Sequence, residues 1–223
     1  MRYGLTNLRA HPLLVSSVLA VSVVVFVEWQ AADVLRTAGF WFDAGTFGTP
    51  MLGGEWGGPL TEDDLTHIEA VAWDELSTAF DGLDLVLSES RDGFFQVAVV
   101  PAPPNGDRVR MRLAGQSRPL GPLGGRGVVY FQTLAGLAVT YAPAGAERHQ
   151  VIEGIGRGVA RSAAHEFAHQ LLPNADLHGT DDEYSYEFGS AQRSSQYYGA
   201  LQWAFAGPMM ADRLRGQGLS FRR

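Results

Sequence analysis

Apolar residues along this chain recur at two spacings, one typical of helices and one typical of strands. The longest helical stripe consists of five residues spaced by four: Ile155, Val159, Ala163, Phe167 and Leu171. That spacing predicts a helix with one buried face, which should end near Pro173 because proline disfavours helical backbone before it. The start of this helix stays open, because Gly154, Gly156 and Gly158 weaken its first turns.

Three further helices are predicted on either side of this one. The first begins at Thr61, where a threonine cap precedes three acidic residues in the first turn. Apolar residues then recur at three- and four-residue steps as far as Phe80, and the helix should end at residues 81–82. Shorter helices are expected at 134–141 and 191–206.

Strand-like patterns fill the segment between the first helix and the long stripe. Alternating apolar residues predict strands at 83–87 and 109–113, and a mostly apolar run predicts a buried strand at 94–100. A short first strand is expected at 40–42. The turn at 91–93 predicts that the strands on either side of it form an antiparallel pair. Helices and strands together predict an α+β (mixed α/β) fold.

The first 30 residues have a different character from the rest. Arg2 and Arg9 precede an apolar run at 13–27, which is shorter than the roughly 20 residues that a spanning helix needs. This pattern predicts a signal peptide or an uncleaved membrane anchor over residues 1–30, with one folded domain at 31–223. The protein is therefore expected to be extracytoplasmic, either secreted or membrane-anchored. A buried strand is the alternative, because the second half of the run is mostly β-branched.

Composition limits the chemistry that the chain can perform. There is no cysteine, which excludes disulfides, thiolate metal sites and cysteine nucleophiles. The net charge of -7 argues against a nucleic-acid partner, for which a basic stripe would be expected. Any metal must therefore be bound by histidine, aspartate or glutamate.

Candidate chemistry is concentrated on the predicted helix, in the run His165-Glu166-Phe167-Ala168-His169. Residues four apart lie above one another on a helix, so both histidines can bind one metal ion with Glu166 beside them. A catalytic zinc ion takes three protein ligands and leaves a fourth position for water. Glu166 then fits the general base that removes a proton from this water.

This run resembles the motif of the zincin metallopeptidases, and in particular that of the metzincins, H-E-x-x-H-x-x-G-x-x-H. The resemblance implies that His165 and His169 are zinc ligands and that Glu166 is the catalytic base. It also implies a zincin-like domain: a twisted mixed sheet with an N-terminal helix, an active-site helix and a C-terminal helix. The chain departs from the motif at Leu172 and Ala175, which occupy the positions of the family's glycine and third histidine.

The third ligand is expected to be His178, which lies three residues beyond the family's position and needs a longer loop. Glu187 is an alternative, because its distance from His169 is close to the one that the gluzincin branch uses. Four other carboxylates in the segment also stay open: Asp176, Asp181, Asp182 and Glu183. A solvent-facing loop position for His178 is the competing interpretation.

Further roles follow from the same resemblance. An edge strand above the zinc pairs with the substrate in metzincins, and either 108–113 or 128–131 is expected to take this place. Tyr184 or Tyr186 could donate a hydrogen bond to the developing oxyanion, although packing of the ring on the core is the simpler role for each.

Metzincins also place a methionine turn beneath the metal. Met209 and Met210 are the only late candidates, and Pro208 before them predicts a helix start in place of such a turn. The sequence thus predicts a zinc-dependent metallopeptidase with Zn²⁺ as cofactor and a peptide or protein as substrate. Two alternatives stay open: a zinc hydrolase of a non-peptide amide or ester, and a non-catalytic, metal-braced surface binding module.

Overall fold

Five strands form a mixed sheet, and the helix that carries the histidine motif packs on it. The computed structural model describes residues 36–43, 51–52, 56–102, 114–120, 124–172 and 177–216. The strands are β1 (Thr37–Phe42), β2 (Met51–Leu52), β3 (Gly58–Pro59), β4 (Val86–Ser88), β5 (Phe95–Val100), β6 (Gly115–Pro119) and β7 (Gly125–Tyr130). The helices are α1 (Glu62–Ala79), α2 (Phe131–Thr140), α3 (Arg148–Leu171), α4 (Ser195–Tyr198) and α5 (Ala206–Gly216). The mixed α/β class predicted from the sequence is confirmed.

The main sheet has the strand order β4-β1-β5-β7-β6, and every pair is parallel except the antiparallel pair of β6 with β7. Strands β2 and β3 form a separate two-stranded antiparallel ladder. The predicted strands at 40–42 and 94–100 correspond to β1 and β5, whereas only the end of 83–87 is a strand. The sheet therefore has one antiparallel edge, and that edge is β6.

The predicted antiparallel pairing across the turn at 91–93 is wrong. Strand β1 lies between β4 and β5 and pairs in parallel with both of them. The connection from β4 to β5 passes close to β1, where a Cβ on Gly93 would lie 2.6 Å from the nitrogen of Gly39. Strands β4 and β5 therefore run in the same direction, so the turn at 91–93 belongs to a crossover past β1 and not to a hairpin.

Helix α1 begins as its sequence predicts. The Thr61 hydroxyl accepts a hydrogen bond from the N–H of Asp64, whose carboxylate accepts one from the N–H of Thr61. This reciprocal pair satisfies two backbone donors that the first turn of a helix leaves without partners. The helix buries the face that carries Ile68, Ala72 and Leu76 against the core.

Helix α3 begins at Arg148, so the three glycines lie inside it and do not delay its start. They sit where neighbouring elements approach closely: a Cβ on Gly156 would lie 2.8 Å from the Cβ of Val71, and one on Gly154 would lie 2.8 Å from the ring of Tyr198. The helix is buried on most of its surface. The cost of glycine in a helix is offset here by close packing on several sides.

The predicted helix at 191–206 is wrong. Only Ser195–Tyr198 is helical, and α5 begins at Ala206. At the end of the predicted segment, the buried carboxylate of Glu187 accepts the N–H groups of three successive residues, Ala204, Phe205 and Ala206. Those donors are therefore not used in a continuous helix. Met209 and Met210 lie in the first turns of α5, as the helix start at Pro208 predicts.

Several predictions fall outside the described residues. These are the signal peptide or membrane anchor at 1–30, its buried-strand alternative and the strand at 109–113. The described residues belong to one compact unit. Among them, no helix combines the length and the apolar character that crossing a bilayer requires.

Candidate metal centre

The three histidines predicted from the motif come together in space. Helix α3 presents His165 and His169 one turn apart, with their Nε2 atoms 3.1 Å from each other. His178 follows the end of the helix, and its ring centroid lies 5.1 Å from that of His165 and 4.9 Å from that of His169. One ligand atom from each histidine lies within 4.8 Å of those of the other two. A third imidazole from beyond the end of α3 thus lies beside the pair on the helix.

The positions and protonation of these imidazoles fit a divalent metal ion. Tetrahedral zinc, with bonds of about 2.0–2.1 Å, holds two ligand nitrogens roughly 3.3 Å apart, close to the observed spacing of His165 and His169. His165 Nδ1 lies 2.8 Å from the carbonyl oxygen of Tyr186, which can only accept. His165 therefore donates from Nδ1 and keeps the lone pair of Nε2 for a ligand. Burial lowers the pKa of His165 to about 3, so the ring is neutral, as a metal ligand must be.

Glu166 lies beside the histidines and is shielded from solvent. Its side chain is buried, and Oε2 has no hydrogen-bond partner among the described residues. Burial raises the pKa of this carboxyl group to about 8, because the charged form loses its hydration. A carboxyl group that titrates near neutral pH can take up a proton and release it again.

The strand over this carboxylate is β6, and the sequence predictions missed it. A Cβ on Gly115 would lie 2.7 Å from Oε1 of Glu166, so only glycine lets the strand pass this close. Of the two segments expected here, 128–131 starts within β7, one strand further in, and 108–113 lies outside the described residues. Residues 115–119 lack the alternation of apolar and polar residues that predicts a strand. The sequence signal for a close approach here is the pair of small residues Ala114 and Gly115.

Gln170 anchors the motif helix to the sheet, and it was also missed. Its side-chain amide accepts from the N–H of Gln96 at 3.1 Å and donates to the carbonyl of Gln96 at 2.9 Å. The same amide donates to the hydroxyl of Ser117 on β6 at 3.0 Å. Gly125 on β7 leaves room for this side chain, since a Cβ there would lie 2.6 Å from that of Gln170. The residue after a candidate ligand is thereby fixed to β5 and β6.

Among the described residues, the carboxylates that competed for the third ligand position are not part of this cluster. Glu187 is fully buried and accepts hydrogen bonds from the backbone at the start of α5 and from Ser185. Burial alone would raise the pKa of Glu187, but these hydrogen bonds outweigh it and lower the pKa. Glu183, Asp181 and Asp182 are exposed, and Asp176 lies outside the described residues. In the part of the chain that the structure describes, the group of side chains that can bind one metal consists of the three histidines.

The two candidate tyrosines have different environments. Tyr184 is 53% exposed, whereas the ring of Tyr186 is buried. The hydroxyl of Tyr186 donates to Oε1 of Glu75 on α1 at 3.1 Å. That hydroxyl is therefore bound to α1, and the packing role is the one that fits Tyr186.

A buried ion pair joins α1 to the turn of α3 that precedes His165. Arg161, one turn before His165 on α3, donates from Nε to Oε1 of Glu75 at 2.7 Å. It also donates to the backbone carbonyl of Ser195 at 2.8 Å. Since Tyr186 shares the same Glu75 oxygen, α1, α3 and the segment that supports His165 are tied together by one carboxylate.

The cluster opens into a cavity of about 460 Å³. Its walls are the edge strand β6, the motif turn of α3 and the loop 188–192, with Gln196 on α4 behind them. Comparisons of the chain with protein-family models, with curated proteins and with solved structures found no match.

Proposed function

We propose that this protein is a zinc-dependent metallopeptidase, with His165, His169 and His178 as zinc ligands and Glu166 as general base. One observation carries the proposal: three imidazoles converge beside a buried carboxylate at the wall of an open cavity. Nitrogen ligands of this kind, with no thiolate in the chain, suit zinc among the divalent metals.

Zinc in such a site supplies a nucleophile at neutral pH, because it lowers the pKa of a water molecule to about 7. Glu166 would act as the general base, taking up a proton as the nucleophile forms and passing it to the leaving amine. Its burial supports this shuttle, because bulk water has little access to the carboxyl group between the two transfers. The hydrogen bond from His165 to Tyr186 keeps the imidazole in the tautomer that a ligand needs.

A zincin-like domain of the metzincin kind is part of the proposal. The antiparallel edge strand β6 beside the motif helix supports it, because an exposed edge can pair with an extended peptide. Two features depart from the family pattern: the late third histidine, and the helical position of Met209 and Met210. The expected substrate is a peptide or protein. An extracytoplasmic location, secreted or membrane-anchored, is proposed from the apolar run at 13–27 alone.

The test begins with metal content, measured by elemental analysis on protein purified without added metal. About one zinc per chain is expected in the parent, with loss in His165→Ala and in His178→Ala. His149→Ala is the matched control, because His149 lies at the exposed start of the same helix. A parent without zinc overturns the proposal.

Turnover is then measured on a panel of peptides beside simple esters and non-peptide amides. Cleavage of peptides that depends on added zinc and is lost with His178→Ala is the expected result. Hydrolysis of the esters or non-peptide amides alone would assign the site to a different zinc hydrolase. Zinc binding without turnover on any substrate would favour the metal-braced binding module.

A further inference from the structure

The cavity beside the histidines has walls that are polar but mostly uncharged. Apart from the histidines, the charged side chains on its described walls are Arg161 and Glu166. All three nitrogens of the Arg161 guanidinium already donate, one to Glu75 on α1 and two to backbone carbonyls at the ends of α4. The described walls therefore leave no cation for an acidic ligand, and Glu166 is itself an acid. A neutral polar group is the ligand that such walls suit.

Two neutral side chains face each other one helical turn before the motif. Ser162 lies on α3 and Gln196 on α4, both line the cavity, and each is only 5% exposed. Oε1 of Gln196 accepts a hydrogen bond from Nη2 of Arg193 at 3.0 Å, because a guanidinium can only donate. Nε2 of Gln196 therefore faces the other way and donates to Oγ of Ser162 at 3.4 Å. The amide thus presents its donor side to the serine.

Both side chains keep a hydrogen that no described residue accepts. Since Oγ of Ser162 accepts the bond from Gln196, the serine's own proton points elsewhere, and one N–H of the Gln196 amide also remains. In the described part of the chain neither hydrogen has an acceptor. A buried donor without an acceptor is costly, so a ligand that supplies an acceptor here is stabilised.

A carboxamide fits this pair of side chains better than the other common groups. Its oxygen can accept both donors, and its nitrogen can donate to the remaining lone pair of Ser162 Oγ. A carboxylate lacks that donor and brings a charge that no free cation on the described walls offsets, whereas an aliphatic group leaves both donors unused.

Distance along the helix favours a long side chain. Ser162 precedes His165 by three residues, which is about 4.5 Å along the axis of α3. A substrate bound at the histidines must reach across this turn. The amides of asparagine and glutamine extend further from the backbone than the hydroxyls of serine and threonine.

We propose that Ser162 and Gln196 form an amide-binding wall that selects asparagine or glutamine at the substrate residue next to the scissile bond. The inference rests on the proposed peptidase for the position of that bond, but the preference for an amide can be measured by binding alone. Ser162 and Gln196 determine specificity, and Arg193, which lies outside the cavity lining, positions the amide of Gln196.

The probes are three hydroxamates that differ only in the side chain beside the metal-binding group: a carboxamide, the matching carboxylate and an isobutyl group. Calorimetry on the zinc-loaded full chain should show the carboxamide binding at least about tenfold more tightly than the isobutyl compound, as two additional hydrogen bonds predict. It should also bind more tightly than the carboxylate. Any other compound binding tightest in the parent overturns the inference.

Ser162→Ala removes one donor and the acceptor for the ligand's nitrogen. The advantage of the carboxamide over the isobutyl compound should fall below about threefold. Ser195→Ala is the matched control, because Ser195 is 6% exposed and lies outside the cavity lining; it should keep the parent's advantage. An undiminished advantage in Ser162→Ala overturns the inference.

Gln196→Met removes the amide but keeps the length of the side chain. Arg193 still donates to the backbone carbonyl of Ser185, so the fold should persist, which thermal unfolding checks. The advantage of the carboxamide should fall as in the serine variant. Gln132→Met makes the same change at an exposed position on α2, outside the cavity, and should have no effect. A folded Gln196→Met variant that keeps the parent's advantage also overturns the inference.

Peptides with glutamine, glutamate or leucine next to the scissile bond are tested in parallel. Preferred binding of the carboxamide compound with no peptide cleaved would overturn the proposed peptidase and leave the amide-binding wall in place. Peptide cleavage without any preference among the three hydroxamates would do the reverse. Failure of the parent to bind all three compounds would overturn the inference as well.

Discussion

His165 donates its Nδ1 proton to the carbonyl oxygen of Tyr186 over 2.8 Å. The other end of Tyr186 is also bound, because its hydroxyl donates to Glu75 on α1. A tyrosine held at both ends thus fixes the orientation of a candidate metal ligand. Mutating the hydrogen-bond partner of a metal-binding histidine usually lowers the metal affinity by a factor of 10 to 100.

Tyr186→Phe keeps the carbonyl and the ring but removes the hydroxyl bond to Glu75. The carbonyl should then be held less firmly, and zinc affinity should fall by up to about tenfold, measured by competition with a chelator. Tyr184→Phe is the control, since Tyr184 is exposed two residues away. Equal affinities in the two variants would show that the link to Glu75 does not position His165.

Glu166→Gln removes the proposed base and keeps the size of the side chain. Turnover should fall by at least about 100-fold, because general base catalysis is lost, while zinc content should stay at the parent's value. Glu153→Gln makes the same change on the same helix, away from the cavity, and should keep full turnover. Retained turnover in Glu166→Gln would reject this residue as the base.

Gly115→Ala places a methyl group where the edge strand crosses Glu166. Its Cβ would lie 2.7 Å from Oε1 of Glu166 and 2.9 Å from the carbonyl oxygen of Val128, so either the carboxylate or the strand must move. Turnover should fall by at least about tenfold, since small displacements of reacting groups are costly.

Gly136→Ala is the matched change at an open helical position, with nothing within 4 Å of the new Cβ. It should raise the free energy of unfolding by about 0.5–1 kcal/mol and leave turnover unchanged. Thermal unfolding and peptide turnover on both variants check the pair. Equal turnover in the two alanine variants would mean that β6 does not restrict Glu166.

Glu187→Gln tests whether this carboxylate is structural. It accepts N–H groups from the start of α5 on both oxygens, and an amide cannot accept on both sides. The free energy of unfolding should fall by about 2 kcal/mol, and zinc should be retained. Glu183→Gln, at an exposed position, should change neither quantity. Loss of zinc from a folded Glu187→Gln variant would instead make Glu187 a ligand.

Asp64 links the starts of α1 and α3 through a 2.6 Å hydrogen bond from Arg148. Burial alone would raise the pKa of Asp64, but the bonds from Arg148 and Thr61 outweigh it and hold the pKa below 3.8. A carboxylate with a lowered pKa in the folded state stabilises the protein above its unfolded pKa, and this contribution is lost as the pH falls.

Asp64→Asn should therefore lower the free energy of unfolding by about 1 kcal/mol at pH 7, where the cap and the ion pair are both intact. The difference from the parent should shrink as the pH is lowered below 3.8. Chemical denaturation across the acid range measures it, with exposed Asp63→Asn as control. A difference that stays constant down to the lowest pH would mean that the charge of Asp64 is not what stabilises the fold.

Local rules predicted the parts of the fold that depend on neighbours along the chain. The cap at Thr61 and the four-residue spacing of the stripe on α3 depend only on helix geometry. The same geometry brought His165 and His169 onto one face, and the helix end near Pro173 allowed His178 to return.

The features of the fold that the sequence did not predict depend on contacts between residues that are far apart in the chain. The place of β1 between β4 and β5 depends on pairing across the chain, and Gly154 and Gly156 reflect neighbours that the sequence does not identify. Glu187 was an alternative metal ligand because of its distance along the chain from His169. In the structure its carboxylate accepts backbone N–H groups at the start of α5. A side chain that binds backbone groups far along the chain leaves no pattern in the sequence around it.

The amide of Gln170 takes the place that a strand's peptide group would have beside Gln96. The amide of Gln170 belongs to α3. Opening either the sheet or the helix at this point would therefore break the hydrogen bonds that join the two elements. The motif turn and the centre of the sheet therefore belong to one cooperative unfolding unit. A histidine pair on such a helix is not exposed to the fraying that a surface helix undergoes, so its geometry persists for as long as the sheet does.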